Sequence, residues 1–156
     1  MGLVSAFLTL FAVLRVNFAP RQSMGVFYQA PYPMLALKTE RGQIDVPRMH
    51  AVVYDSLIPL LRARAHGEYT WASPDTPEIY FLSGLRNPTR TFFEMFQDST
   101  NTNEKLLHTL EAHGVTAIVV NTSPAFSPEI GRPLAALLVK RYPYARWVGP
   151  YQLRWR

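Results

Sequence analysis

The sequence predicts an α/β layered domain: a mostly parallel central sheet flanked by helices, a terminal β-hairpin, and one hydrophobic helix in front. Three observations carry this expectation. Apolar residues recur at helical spacing between Pro47 and His66. The run Ala117 to Val120, AIVV, shows no alternation, which marks a strand covered on both faces. Strand, helices, strand, helix, strand is then the order of helices packed on a layered sheet. The 156 residues suffice for one domain, and 48% apolar with 17% charged residues is a globular composition.

The chain opens on GLVSAFLTLFAVL, uncharged from Gly2 to Leu14, and after Arg15 the run VNFA leads to Pro20. As a helix, residues 2–19 would measure about 27 Å, just short of the roughly 30 Å hydrocarbon core. Length and flanks favour a membrane span, or the end of one, over a buried helix or a secretory signal, whose charges would precede the apolar run. Residues 1–22 are therefore expected to form a hydrophobic helix at the end of a transmembrane span. Residues 23–34, with Pro31, Pro33, Tyr28 and Tyr32, read as an extended linker. The α/β domain is expected over residues 35–156.

Within it, Leu35 to Lys38 and Ile44 to Val46 predict a hairpin around Arg41-Gly42. Met49, Val52, Val53, Leu57, Leu60 and Leu61 form the stripe of a helix that Gly67 ends. Pro59 inside it removes a backbone bond and predicts a kink or a break into two helices. Tyr69 to Ser73 is a short aromatic strand. Asp75-Thr76-Pro77-Glu78 resembles a capping box, so that Asp75 caps and Glu78 reaches back for a short helix closed by Gly84. Phe92, Phe93 and Phe96 share a helical face read as core, and a helix from Asn101 carries Leu106, Leu107 and Leu110 inward until Gly114. Pro133 opens another helix, which Tyr142-Pro143 stops. Ala145 to Val148 and Tyr151 to Trp155, around Gly149-Pro150, make the terminal hairpin.

The absence of cysteine removes disulfides, thiolate nucleophiles and cysteine-bound metal. No two of His50, His66, His108 and His113 are three or four residues apart, so no histidine metal site, and no cofactor, is expected. Signatures of serine hydrolases, P-loops and dinucleotide folds are missing. Net charge is +5, and residues 132–156 hold six basic residues without an acid. Such a tail suits anionic membrane lipid; without a nucleic-acid motif, nucleic acid is not an expected partner.

Ligands of open α/β sheets gather beyond the carboxyl ends of the strands, here Ser73-Pro74-Asp75 and Asn121-Thr122-Ser123. Nearby, Asp75, Glu78, Arg86, Asn87 and Arg90 bring two arginines beside two carboxylates, a combination suited to a phosphate or sugar. Helix capping and surface ion pairs account for the same residues without a ligand.

The stretch SPDTPEIYFLSGLRNPTR at 73–90, SPAFSP at 123–128 and the ending YPYARWVGPYQLRWR resemble the C-terminal extracytoplasmic domain of bacterial integral-membrane glycosyltransferases. These are of the dolichyl-phosphate-mannose protein mannosyltransferase type, glycosyltransferase family thirty-nine of the GT-C superfamily. The resemblance runs from about residue 35 onward, with residues 2–19 in the place of the last membrane helix. It implies a small α/β domain on the periplasmic side of the cell membrane, attached to a multi-helix domain that uses a polyprenyl-phosphate sugar. The catalytic acidic loop of such enzymes has no counterpart here, so the chain is expected to be the tail of a transferase and not to transfer sugar alone. Its partners would be membrane lipid, the membrane domain of the same transferase, and a polyprenyl-phosphate sugar or acceptor glycan. By the positive-inside rule Arg15 and Arg21 favour the cytoplasm for the residues after the helix, so the implied orientation requires upstream helices to set it. The alternative expectation is a membrane-tethered hydrolase or sugar-phosphate enzyme, with Asp75 or Glu78 as base and Arg86 and Arg90 as anion clamps.

Overall fold

A computed structural model describes Ser5, Thr9 and residues 33–89 and 103–156. The chain divides into two units, Met1–Pro33 and Met34–Arg156. In the first, Ser5 and Thr9 are helical, and Thr9 Oγ1 donates to the Ser5 carbonyl at 2.9 Å. The rest of the hydrophobic run and of the linker expected over 23–34, up to residue 32, lies outside the described residues. So do Arg90, the stripe Phe92, Phe93 and Phe96, and Asn101. Among the described residues, no helix is long and apolar enough to cross a membrane.

The second unit opens with the expected hairpin, β1 (Met34–Ala36) against β2 (Asp45–Pro47), antiparallel with Leu35 opposite Val46. Helix α1 (Arg48–Arg64) follows directly. Of the kink or break expected at Pro59, the break does not occur: α1 runs as one element across it. Pro59 is exposed, so the carbonyl deprived of its donor lies on the solvent side, where water can satisfy it.

Four strands make the main sheet in the order β3 (Trp71–Ser73), β4 (Ala117–Asn121), β6 (Tyr151–Trp155), β5 (Tyr144–Val148). Only β3 and β4 are parallel; β6 runs antiparallel to both β4 and β5. The sheet is therefore mixed, not mostly parallel as expected. The reason is the connection: the tight turn at Gly149-Pro150 forces β5 and β6 antiparallel, and β6, not β5, docks on β4. Gly149 has φ +56°, and a Cβ there would lie 2.7 Å from Val53 Cγ2, so the turn needs glycine twice over.

Alternate residues of the central strands feed two cores. Ala72, Ala117, Val119 and Leu153 pack with Leu57, Ile58 and Leu61 of α1 and Ile79 and Leu82 of α2 (Pro77–Ser83). Trp71 and Ile118 pack on the other face with Leu110 of α3 (Asn103–Ala112) and Leu138 of α4 (Arg132–Arg141). The unbroken apolar run of β4 is explained, since both its faces are covered. Tyr80 seats α2 on the sheet edge: its hydroxyl accepts from Ala72 N at 2.8 Å and donates to the Ala72 carbonyl at 2.9 Å.

Candidate functional site

At the carboxyl ends of β3 and β4, where the loops Ser73-Pro74-Asp75 and Asn121-Thr122-Ser123 were expected to hold a ligand, lies a cavity of about 400 Å³. That is a usual size for a small-molecule site. It is lined by Asp75, Pro77 and Glu78 after β3, by Asn121, Ser123, Ala125 and Phe126 at and after the end of β4, by His50, Val53 and Tyr54 of α1, and by Pro150 and Tyr151.

Asp75 adopts φ 51°, a left-handed conformation that short polar residues tolerate better than most. From there its carboxylate turns to the 125–127 loop. It accepts from Phe126 N and Ser127 N at 2.7 Å each and from Ser127 Oγ at 2.5 Å. Desolvation pushes the carboxyl up, but the Ser127 hydroxyl and the backbone N–H groups of Ser127, Phe126 and Ala125 outweigh it, and its pKa ends below the ordinary aspartate value.

The capping box does not form. Thr76, not Asp75, precedes α2; it makes no side-chain cap bond, and its buried Oγ1 has no hydrogen-bond partner among the described residues. The fixed φ of Pro77 starts the helix instead. Glu78 is thereby released from the backbone. Its Oε1 accepts from Tyr151 at 3.0 Å and from Tyr54 at 3.2 Å, and the two phenol oxygens lie 3.3 Å apart. Burial, together with the Glu78 charge, pushes Tyr54 up to about 12 although the Tyr151 hydroxyl pulls the other way; burial raises Tyr151 further still. Both phenols therefore stay protonated as hydrogen-bond donors. Sequence reasoning missed these tyrosines because they arrive from α1 and β6, 24 and 73 residues from Glu78. The alternation Tyr151, Leu153, Trp155 was the signal available, since it puts Tyr151 on the face that meets α1.

Arg86 does not join this group. Strand β3 separates them: Arg86 N donates to the Glu68 carbonyl at 2.7 Å and Thr70 N to the Arg86 carbonyl at 3.1 Å, beside the amino end of β3. The guanidinium of Arg86 pairs with Glu68 at 3.2 Å, both side chains largely exposed. It lines a different cavity of about 340 Å³ with Arg41 and Arg62. Helices α1 and α2 both end near this second cavity, so their carbonyl ends attract the cations. Asn87 folds onto its own loop, Oδ1 accepting from Thr89 N at 2.9 Å and Thr89 Oγ1 at 2.8 Å. Of the five residues expected to form one site, Asp75 and Glu78 share a cavity, Arg86 and Asn87 do not line it, and Arg90 lies outside the described residues.

The basic residues of 132–156 also take separate roles. Arg154 is buried, its Nε donating to the Tyr142 carbonyl at 2.9 Å, Arg141 pairs with Glu111, and Arg156 stacks on Tyr142. Among the described residues, no group of three or more histidine, aspartate or glutamate side chains is placed to hold a metal ion. The chain matches no protein-family model, no curated protein and no solved structure.

Proposed function

We propose that residues 34–156 form the extracytoplasmic recognition domain of a membrane glycosyltransferase that uses a polyprenyl-phosphate sugar, and that the domain binds rather than catalyses. The reading begins from the sequence resemblance. One observation supports it most: the three separate segments that carry the resemblance converge on one cavity. SPDTPE supplies Asp75 and Glu78, SPAFSP supplies Phe126 and the Ser127 that Asp75 holds, and the C-terminal segment supplies Tyr151. A shared ligand site gives such a convergence a reason that separate structural roles do not.

The chemistry of the cavity favours binding over turnover. Asp75 is saturated by donors from the 125–127 loop, which makes it a poor base, and Glu78 is held by two phenols. The alternative hydrolase loses the Arg86 clamp it required, because Arg86 sits with Glu68 at the second cavity. Location at the cell membrane, with the domain on the periplasmic side and the preceding helix as its tether, belongs to the same proposal.

Sequencing upstream of the Met1 codon provides a direct test: an in-frame continuation encoding several apolar helices is expected. In that longer protein, deletion of residues 34–156 should abolish transfer to acceptor or change which acceptor is used. Purified chain turning over a polyprenyl-phosphate sugar unaided would sink the proposal.

A further inference from the structure

We propose that the cavity at the carboxyl ends of β3 and β4 binds a neutral, hydroxyl-rich ring of the kind a glycan presents, recognised by Glu78, Asn121 and Phe126. This rests on the recognition role proposed above and names its ligand class: sugar ring, and not the phosphate of a polyprenyl carrier.

Charge argues first. Among the described residues, no lysine or arginine lines the cavity, while Asp75, Glu78 and the imidazole of His50 do. A phosphate there would meet two carboxylates with no guanidinium or ammonium among the described residues to offset them. An ammonium ligand would find only the Oε2 of Glu78, because Asp75 is spent on the 125–127 loop, and glucosamine in the test below distinguishes it from a neutral ring. A neutral ligand that both donates and accepts uses one acceptor and one donor of the cavity together, which an ammonium does not.

The hydrogen-bonding groups that remain fit such a ligand. Glu78 Oε2 accepts no bond among the described residues. Also lining the cavity, Asn121 has its Oδ1 occupied by Ser123 N at 3.0 Å, leaving Nδ2 as a donor without a partner among the described residues. One acceptor and one donor in the same cavity suit a ligand rich in hydroxyls, each hydroxyl being both donor and acceptor. The Glu78 oxygen is also fixed in place, since the Tyr54 and Tyr151 hydroxyls hold its carboxylate. Pre-ordering of this kind lowers the entropy cost of binding.

Phe126 completes the site. It is 72% exposed although it lines the cavity, and the loop behind it is pinned by its own N–H and those of its neighbours to Asp75. A rigidly mounted, solvent-facing ring with an electron-rich face suits the C–H face of a sugar.

The test uses the full chain in a detergent without a sugar headgroup, with saturation-transfer NMR and calorimetry. The probes are methyl glycosides of neutral hexoses and maltotriose, set against inorganic phosphate, glucose 1-phosphate and glucosamine. Neutral glycosides are expected to bind, with Glu78→Gln weakening them about tenfold, since a charge-assisted bond becomes a neutral one. Phe126→Ala, at an exposed position that leaves the fold intact, should weaken them several-fold. Phosphate binding that tightens in Glu78→Gln would overturn the proposal, as would glucosamine binding at least tenfold tighter than every neutral glycoside, or no probe binding at all. These outcomes are independent of the upstream sequence. Sugar binding without upstream helices would leave the ligand class standing and remove the transferase, and phosphate binding with upstream helices would do the reverse.

Discussion

The two ends of strand β3 use the same ingredients to different effect. At the amino end, Arg86 pairs with Glu68 and Arg62 with Glu40, four charged side chains each more than half exposed. At the carboxyl end, Asp75 and Glu78 form no ion pair among the described residues and instead collect backbone N–H groups and hydroxyls from the 125–127 loop, α1 and β6. The difference teaches where a carboxylate organises structure. Water screens the first arrangement and competes for it, whereas the second ties together segments 24 to 73 residues apart.

If that contrast is sound, substitutions should grade in a definite order. The largest effect is expected from Gly149→Ala, at the turn that closes the cavity beside Pro150. The left-handed backbone and the collision with Val53 should together cost about 2–3 kcal/mol, measurable by urea unfolding. Asp75→Asn keeps a side chain that tolerates the same backbone but surrenders the charge, and should cost about 1–2 kcal/mol at neutral pH.

The pH dependence of that variant sharpens the comparison. The folded Asp75 carboxyl titrates below its unfolded value near 3.8, so its contribution is complete above that value and is lost as pH falls through the folded one. Wild-type stability should therefore drop more steeply below about pH 4 than that of Asp75→Asn, as acid unfolding curves would reveal. Parallel curves would mean that the carboxylate does not organise the loop. Smallest of all, Arg86→Ala should change stability by less than about 0.5 kcal/mol, because the ion pair is exposed while the backbone bonds to Glu68 and Thr70 persist. A larger loss would erase the distinction between the two ends.

Local pattern made most elements legible. The α1 stripe, the covered β4 run, Gly84 at φ +71° after α2, and both hairpins follow from spacing and turn chemistry within a few residues. The position of the cavity was legible too, because it follows from where parallel strands end. Its composition was not. Asp75 and Glu78 have the spacing of a capping box, and only tertiary partners, Ser127 and the two tyrosines, draw them away from it. Proximity in sequence placed Arg86 with them, but the intervening α2 returns the chain to the opposite end of β3. The mixed sheet escaped for a similar reason: nothing local distinguishes β5 from β6 as the neighbour of β4.

That choice of neighbour also dictates an order of assembly. Strand β4 gains its second flank only when residues 151–155 are available, after α4 and β5 have been made. Until then a chain emerging from the ribosome carries the apolar run Ala117 to Val120 with one unpaired edge. Closure of the sheet, and with it delivery of Tyr151 to Glu78, waits for residues 151–155, so the cavity cannot be completed before α4 and β5 have been made.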